Sequence, residues 1–268
     1  MTTIAINARG LRRTRQAFSL LLSRVAQSLR ERGPLVTAKA IVRRCRSILS
    51  PQFWEFRRED VAFDQHHGIT TGLVVPLKNL RIDSPNRRFG RQYEGVPCSS
   101  LRRILNTIGI DHRRFTFVDL GSGLGRAVFV AAEFPFRRII GVEFAPVLHS
   151  LAQQNLRHCR RGTLACTSIE LLCMDAANCP IPMEPVLIYL FNPFSAEVMK
   201  KVVAHINDSV LGGHRDVIVV YLRPTHESVF AGSPCLEMVA SGQGKFGYRV
   251  YRVALAAAVN GPDALEQQ

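Results

Sequence analysis

The sequence lacks several features that would each have placed it in a class. No apolar run approaches the roughly 20 residues of a membrane-spanning helix, so an integral membrane protein is not expected. The seven cysteines include no C-x-x-C pair, which argues against a disulfide scaffold and a common zinc site and favours a reducing compartment. Neither an H-E-x-x-H motif nor a nucleophile elbow occurs. We therefore expect a cytoplasmic protein that binds no metal.

Lysine and acidic residues are also scarce. Only five of the 35 basic residues are lysines, a bias that a G+C-rich genome would explain, and the formal net charge is +14. Residues 1–60 hold 13 Lys and Arg against four acids, so the basic charge is concentrated at one end. A content of 47% hydrophobic and 21% charged residues excludes a wholly disordered or fibrous chain.

The sequence of the basic region, residues 1–60, predicts two helices. Leucines, Phe18 and Val25 recur at helical spacing between arginines over residues 11–30, and a second helix is predicted over Leu35–Leu49, ahead of Pro51. We assign residues 1–60 to a basic helical extension and residues 61–268 to a separate domain. Three interpretations of the extension stay open: an arm that packs on the body or covers a cleft, a helix on an anionic membrane surface, and an organellar presequence.

The rest of the chain predicts an α/β domain. Residues 60–100 look irregular, and a helix follows at Ser99–Ile108 with Ser99 or Ser100 as its cap. From Phe115 onward strands alternate with helices, which is typical of a doubly wound parallel sheet, and two antiparallel strands close the domain. The predicted strands are Phe115–Leu120, Arg138–Phe144, Ile169–Met174, Val186–Phe191, Val217–Leu222, Leu236–Ala240 and Tyr248–Ala256; the helices between them are Arg126–Phe134, Pro146–Cys159 and Ser195–Asn207.

A glycine-rich turn is the strongest chemical signal. Asp119-Leu120-Gly121-Ser122-Gly123-Leu124-Gly125 joins a predicted strand to a predicted helix, where free N–H groups and missing Cβ atoms let a ligand approach the backbone. A dinucleotide site needs G-x-G-x-x-G, hence a glycine at 126, where this chain has Arg126. The spacing therefore argues against a dinucleotide oxidoreductase.

The D-x-G-x-G-x-G pattern resembles motif I of class I S-adenosylmethionine-dependent methyltransferases. Three further elements match that family in order at the carboxyl ends of successive strands: Glu143 after the second, Asp175 after the third, and Asn192-Pro193-Phe194 after the fourth. The resemblance covers about residues 90–256 within the 61–268 domain. It implies a Rossmann-like sheet of seven strands, mostly parallel, with an antiparallel hairpin at the end.

The resemblance also implies a role for each matched residue, with S-adenosylmethionine as the cofactor. Glu143 would accept from both ribose hydroxyls, and Asp119 would lie near the methionine ammonium. Asp175 or the N–H of Ala176 would bind the adenine edge. The remaining cofactor residues are those of the turn that would pass under the methionine and adenosine: Gly121, Ser122, Gly123 and Gly125.

Asn192 and Phe194 are the candidate catalytic residues. Many amino-group methyltransferases have Asn or Asp, two prolines and an aromatic residue here; the side-chain oxygen and a backbone carbonyl accept from the target amine, and the aromatic ring stacks on it. This chain has one proline, and Asn-Pro as a strand-ending turn is the structural alternative. Methyl transfer needs mainly alignment and desolvation.

Segments outside the motif also resemble bacterial methyltransferases, namely Gly68–Gly72, Tyr93–Pro97 and Phe134–Arg138. A fainter likeness to non-SET protein-lysine methyltransferases implies that Tyr93 covers the cofactor; a buried loop tyrosine is the alternative. An amine acceptor, with protein lysine favoured, follows from Asn192 and this likeness. The competing hypothesis is a non-catalytic module that binds nucleic acid or an anionic membrane surface through residues 1–60.

Overall fold

A computed structural model describes residues 51–72, 93–213, 215–243 and 246–253, with a few positions between 28 and 42. The chain divides into two units, Met1–Arg57 and Arg58–Gln268. Residues 34–38 are helical, whereas most of the helix predicted over residues 11–30 lies outside the described residues. In the part that the structure describes, no helix is long and apolar enough to cross a membrane.

Seven strands form one mixed sheet in the order β3-β2-β1-β4-β5-β7-β6. Strands β1 to β5 are parallel, β7 runs antiparallel to β5, and β6 pairs antiparallel with β7. The predicted fold, a mostly parallel seven-stranded sheet with an antiparallel C-terminal hairpin, is confirmed. The strands are β1 Thr116–Leu120, β2 Arg138–Glu143, β3 Ile169–Cys173, β4 Val186–Phe191, β5 Val217–Leu222, β6 Leu236–Gly242 and β7 Tyr248–Val253.

Helices cover both faces of this sheet. Every residue of β1 is buried, and adjacent residues pack into different cores: Phe117 lies with Val128 and Leu187, and Val118 lies with Met199. The sheet is therefore a rigid support for the loops that follow the carboxyl ends of its parallel strands. The helices are α1 Pro51–His67, α2 Cys98–Thr107, α3 Arg126–Ala132, α4 Pro146–His158, α5 Ala196–Leu211 and α6 Ser228–Ala231.

Helix α1 corrects the prediction that residues 60–100 begin as irregular chain. Pro51, taken as a stop signal, begins the helix instead, because the first helical position needs no backbone N–H. The predicted caps of α2 are also wrong, since neither serine caps that helix. A carboxylate from α1 accepts at the start of α2 instead. The two oxygens of Glu59 accept hydrogen bonds from the backbone N–H and the hydroxyl of Ser99.

Candidate cofactor site

The glycine turn connects β1 to α3 in a left-handed conformation. The φ angles of Gly121, Gly123 and Gly125 are 94°, 54° and 88°, a region that favours glycine. The N–H groups of Gly121 and Ser122 both donate to the carbonyl of Val142 at 2.9 Å, which ties the turn to β2. The turn is therefore held in place by backbone hydrogen bonds to β2.

Glu143, the last residue of β2, lies directly against this turn. Its Oε2 accepts the N–H of Gly123 and its Oε1 accepts the N–H of Ala145, each at 2.8 Å. The side chain is buried, and burial raises its pKa to about 7, although these two N–H groups and that of Phe144 lower it. Each carboxylate oxygen has a second lone pair with which to accept from a ligand.

Asp119 is a second buried acid at the same edge, on β1 opposite Gly141 of β2. Burial and, to a lesser extent, the nearby carboxylate of Glu143 raise the pKa of Asp119 to about 8. Two buried carboxyl groups at neighbouring strand ends favour a cationic ligand, because it would stabilise their ionised forms.

Asn192-Pro193-Phe194 follows β4, the other neighbour of β1. A Cβ atom placed on Gly121 would lie 2.7 Å from Cβ of Pro193 and 3.8 Å from a ring carbon of Phe194. Asn192 is buried at a φ of 43°, and its Oδ1 accepts a hydrogen bond from the hydroxyl of Thr225. The structure thus brings Phe194 beside the glycine turn, and Asn192 lies two residues before it, directly after β4.

Tyr93 packs on the same turn from the segment ahead of β1. A Cβ atom on Gly123 would lie 2.0 Å from Cδ2 of Tyr93, so ring and glycine are in direct contact. The phenol donates to the carbonyl of Thr71 at 2.8 Å, and the ring is buried with Leu124 and Leu148. Tyr93 is therefore a buried loop tyrosine that also contacts the glycine turn.

Asp175 and Ser122 have local contacts. Asp175 caps the short 3-10 helix Ala176–Asn178, where its Oδ1 accepts the N–H of Ala177 at 3.0 Å. Ala176 is buried beside it, three residues beyond Cys173, the position in β3 that pairs with Glu143. The hydroxyl of Ser122 points at β2, 3.2 Å from where a Cβ on Gly141 would be. The adenine-side assignment thus rests on position along the sheet edge.

A buried cluster that the sequence analysis missed lies on the other side of the turn. Arg126, which we had used only to exclude a dinucleotide site, is 1% exposed and pairs with Asp60 and Asp64 of α1. The available signal was the spacing of those acids, since residues four apart share one face of a helix. His67 lies in the range predicted to be irregular, but it ends α1 and contacts Glu133 through Nε2 at 2.9 Å.

The residues present fit S-adenosylmethionine. The buried acids Glu143 and Asp119 suit its ribose hydroxyls and its ammonium, and Asn192 directly follows β4, the strand next to β1. We therefore expect the cofactor to bind across the carboxyl ends of β1 to β4, where doubly wound sheets bind ligands.

Comparison with known proteins supports this view. A family model described as "Histone methylation protein DOT1" matches residues 89–165, a minor part of the chain that includes the glycine turn and Glu143. No curated protein matches the sequence significantly.

Solved structures described as methyltransferases overlap with parts of the chain. A putative methyltransferase from Escherichia coli (yhhF) is 14% identical over 65% of this chain and 97% of that chain, with a TM-score of 0.46. An RNA methyltransferase from Salinibacter ruber, in complex with S-adenosyl-L-homocysteine, is 21% identical over 59% and 91%, with a TM-score of 0.41. The fold assignment rests on the strand order of the sheet and not on these overlaps. By that strand order and by its motifs, the chain has the fold of a class I S-adenosylmethionine-dependent methyltransferase.

Proposed function

We propose that this S-adenosylmethionine-dependent methyltransferase transfers a methyl group to an amine, and that the amine is the side chain of a protein lysine. The position of Asn192 carries this proposal. Asn192 directly follows β4 and precedes Pro193 and Phe194, which lie beside Gly121, and Thr225 donates to its Oδ1 and so sets which way the amide faces. The second lone pair of that oxygen is suited to accept an N–H of the incoming amine.

The chain contributes orientation to the reaction. When bound, the cofactor supplies an electrophilic methyl group. The lysine ammonium must first lose a proton to solvent, since only the neutral amine has a lone pair. A hydrogen bond from its N–H to Asn192 would then aim that lone pair, and the buried Phe194 would exclude water on one side of the acceptor. Lysine is favoured over other amines because the family model that matches residues 89–165 is described by histone methylation.

The acceptor class is tested by transfer of a labelled methyl group. The purified chain is incubated with labelled cofactor and separate protein, RNA and small-molecule fractions, and labelled protein is hydrolysed to amino acids. We expect label in methylated lysine, and Asn192→Ala should lower transfer by at least about 100-fold while cofactor affinity stays unchanged, as for an interaction that acts on the acceptor alone. Label in RNA or small molecules only would refute the lysine assignment.

Thr225 is expected to matter for transfer without contacting the cofactor. Thr225→Val keeps the shape and removes the hydroxyl that donates to Asn192, so kcat should fall about tenfold, the scale of one hydrogen bond. Cofactor affinity, measured by calorimetry, should not change. Thr225→Ser retains a hydroxyl and should recover most of the rate; equal losses for both variants would contradict the orienting role.

Cofactor binding is expected to strengthen as the pH rises from about 6 to about 8. The pKa values of Asp119 and Glu143 are raised to about 8 and about 7, so the unliganded site holds protons that a cationic ligand must displace. Affinity should rise by up to about tenfold per pH unit for each proton released. Calorimetry in buffers of different ionisation enthalpy counts those protons, and Asp119→Asn should flatten the profile.

The same groups should make the unliganded chain less stable as the pH rises. Both folded-state pKa values lie above the ordinary carboxyl range. The stabilisation that these two groups give the folded chain is therefore complete below about pH 4 and is lost as the pH rises through about 7 to 8.

The prediction for cofactor binding has its own contradicting outcome. A cofactor affinity that is flat or falls between pH 6 and 8 would show that these acids do not face the bound cation.

A further inference from the structure

Arg126 is an unusual residue for its position. It is the first residue of α3, directly after Gly125, and its side chain is 1% exposed. A buried arginine must be paired, and a cation at a helix N-terminus opposes the helix dipole. Local contacts of Arg126 must therefore offset the cost of burying its charge and of placing it at the start of a helix.

Three groups compensate for the buried charge of Arg126. Nη1 of Arg126 pairs with Asp60, Nη2 contacts Oδ1 of Asp64 at 3.3 Å, and Nε donates to the hydroxyl of Thr71 at 2.8 Å. Both acids come from α1, which precedes the sheet. The planar fork of arginine reaches all three partners at once, which a lysine ammonium on a flexible stem would not do in the same geometry.

The same guanidinium lies against the two segments that approach the glycine turn. Cβ atoms added to Gly72 and Gly95 would lie 3.3 Å from Nη2 and 3.0 Å from Nε of Arg126. Asp64 also accepts the backbone N–H groups of Thr71 and Gly72, at 2.8 and 2.9 Å. The acids of α1 thus fix Arg126 and the Thr71–Gly72 backbone together.

Tyr93 continues this set of contacts to the glycine turn. Its hydroxyl donates to the carbonyl of Thr71, and its ring rests on Gly123, whose N–H in turn donates to Glu143. An unbroken series of contacts therefore runs from Arg126 through Thr71 and Tyr93 to the loop and the acid of the cofactor site.

We propose that Arg126 is a positioning residue for cofactor binding, which rests on the binding of S-adenosylmethionine at the glycine turn. Held by Asp60 and Asp64, it fixes Thr71 so that Tyr93 stays seated on Gly123 and the turn keeps its binding conformation. A preorganised turn binds more tightly because less ordering remains to be done when the ligand arrives.

A second, partly exposed cluster separates this role from general stabilisation. His67 of α1 contacts Glu133, which follows α3, and Glu133 accepts two hydrogen bonds from Arg102 at 2.6 and 2.7 Å. This cluster also ties α1 to the end of α3, but among the described residues none of its hydrogen bonds or ion pairs reaches Tyr93 or Gly123. It provides an arginine and carboxylate pair for comparison, although Arg102 is 36% exposed and shares the Phe63 ring with Arg126.

Arg126→Lys and Arg102→Lys are the two variants to compare. At a temperature where circular dichroism shows both to be folded, Arg126→Lys should weaken cofactor binding about tenfold by calorimetry, the scale of a lost charge-assisted hydrogen bond. Arg102→Lys should stay within about twofold of the unmodified chain, whatever its melting temperature, since it removes the same chemistry elsewhere.

Tyr93→Phe supplies a second test if Arg126→Lys does not fold. It removes only the phenol bond to Thr71 and should weaken cofactor binding about threefold to tenfold. Combined with Asp64→Asn, its effect on affinity should be less than additive, because both act on one series of contacts. Full additivity, or losses of affinity in Arg126→Lys and Arg102→Lys that merely follow their losses of stability, would overturn the proposal. Absent binding by the unmodified chain would instead refute the cofactor site itself.

Discussion

Glu143→Gln is expected to weaken binding of S-adenosylmethionine by about 1–3 kcal/mol, which is roughly 5- to 150-fold. Both carboxylate oxygens accept backbone N–H groups, from Gly123 and Ala145. An amide has one oxygen, so its NH₂ group would face one of these donors and could not accept from a ribose hydroxyl. The substitution therefore disturbs the loop and the ligand contact together, and calorimetric titration measures the sum.

Glu184→Gln is the matched control. Glu184 accepts hydrogen bonds from the hydroxyl of Thr116 at 2.8 Å and from Arg138 at 2.9 Å. These residues begin β1 and β2, so Glu184 lies at the amino ends of the strands, opposite the cofactor site. Its cofactor affinity should remain within about twofold of the unmodified chain. If Glu143→Gln binds the cofactor as tightly as the control does, the ribose assignment is wrong.

Gly123→Ala is expected to have the largest structural effect among the glycines of the turn. The residue has a φ of 54°, where a side chain costs about 1–2 kcal/mol. Its Cβ would also lie 2.0 Å from the ring of Tyr93, which must move, and overpacking of this kind typically costs about 1–3 kcal/mol. We expect a lower melting temperature and a cofactor affinity reduced by at least about tenfold, because the turn and Tyr93 shift together.

Gly162→Ala is the matched control for that substitution. A Cβ at Gly162 would meet nothing within 4 Å, and its φ is not positive. Both stability and affinity should stay close to those of the unmodified chain. Gly123→Ala with unchanged cofactor affinity would mean that the contact between Tyr93 and the turn has no part in binding.

The sheet was predictable because its strands are apolar and buried. β4 and β5 begin and end where the sequence predicts, at Val186–Phe191 and Val217–Leu222, since both are continuous runs of apolar residues between polar ones. The order of the motifs along the chain, with one at each strand end, predicted which acids would lie at one edge. Parallel topology then brings Asp119 and Glu143 together without further information.

The contacts around Arg126 were not predictable in this way. They join Arg126 to Asp60 and Thr71 across 66 and 55 residues of sequence, and no local pattern encodes such pairs. The helix that carries Asp60 was itself obscured by Pro51, which reads equally well as a helix stop or a helix start. Likewise the bond from Thr225 to Asn192 depends on how the loop after β5 returns to the site.

The acceptor and the basic extension stay predictions. Most of residues 1–50 lie outside the part that the structure describes, so docking of residues 1–60 on nucleic acid or an anionic membrane is still a hypothesis of the sequence. The acids of the cofactor site, by contrast, belong to the sheet. The net charge of +14 therefore says little about the reaction.

The most direct test of the account is a calorimetric titration of the unmodified chain with S-adenosylmethionine. We predict saturable binding of about one cofactor per chain, with protons released near pH 7 by the buried pair Asp119 and Glu143. A chain that is folded by circular dichroism and shows no saturable binding would contradict the assignment of the glycine turn as a cofactor site.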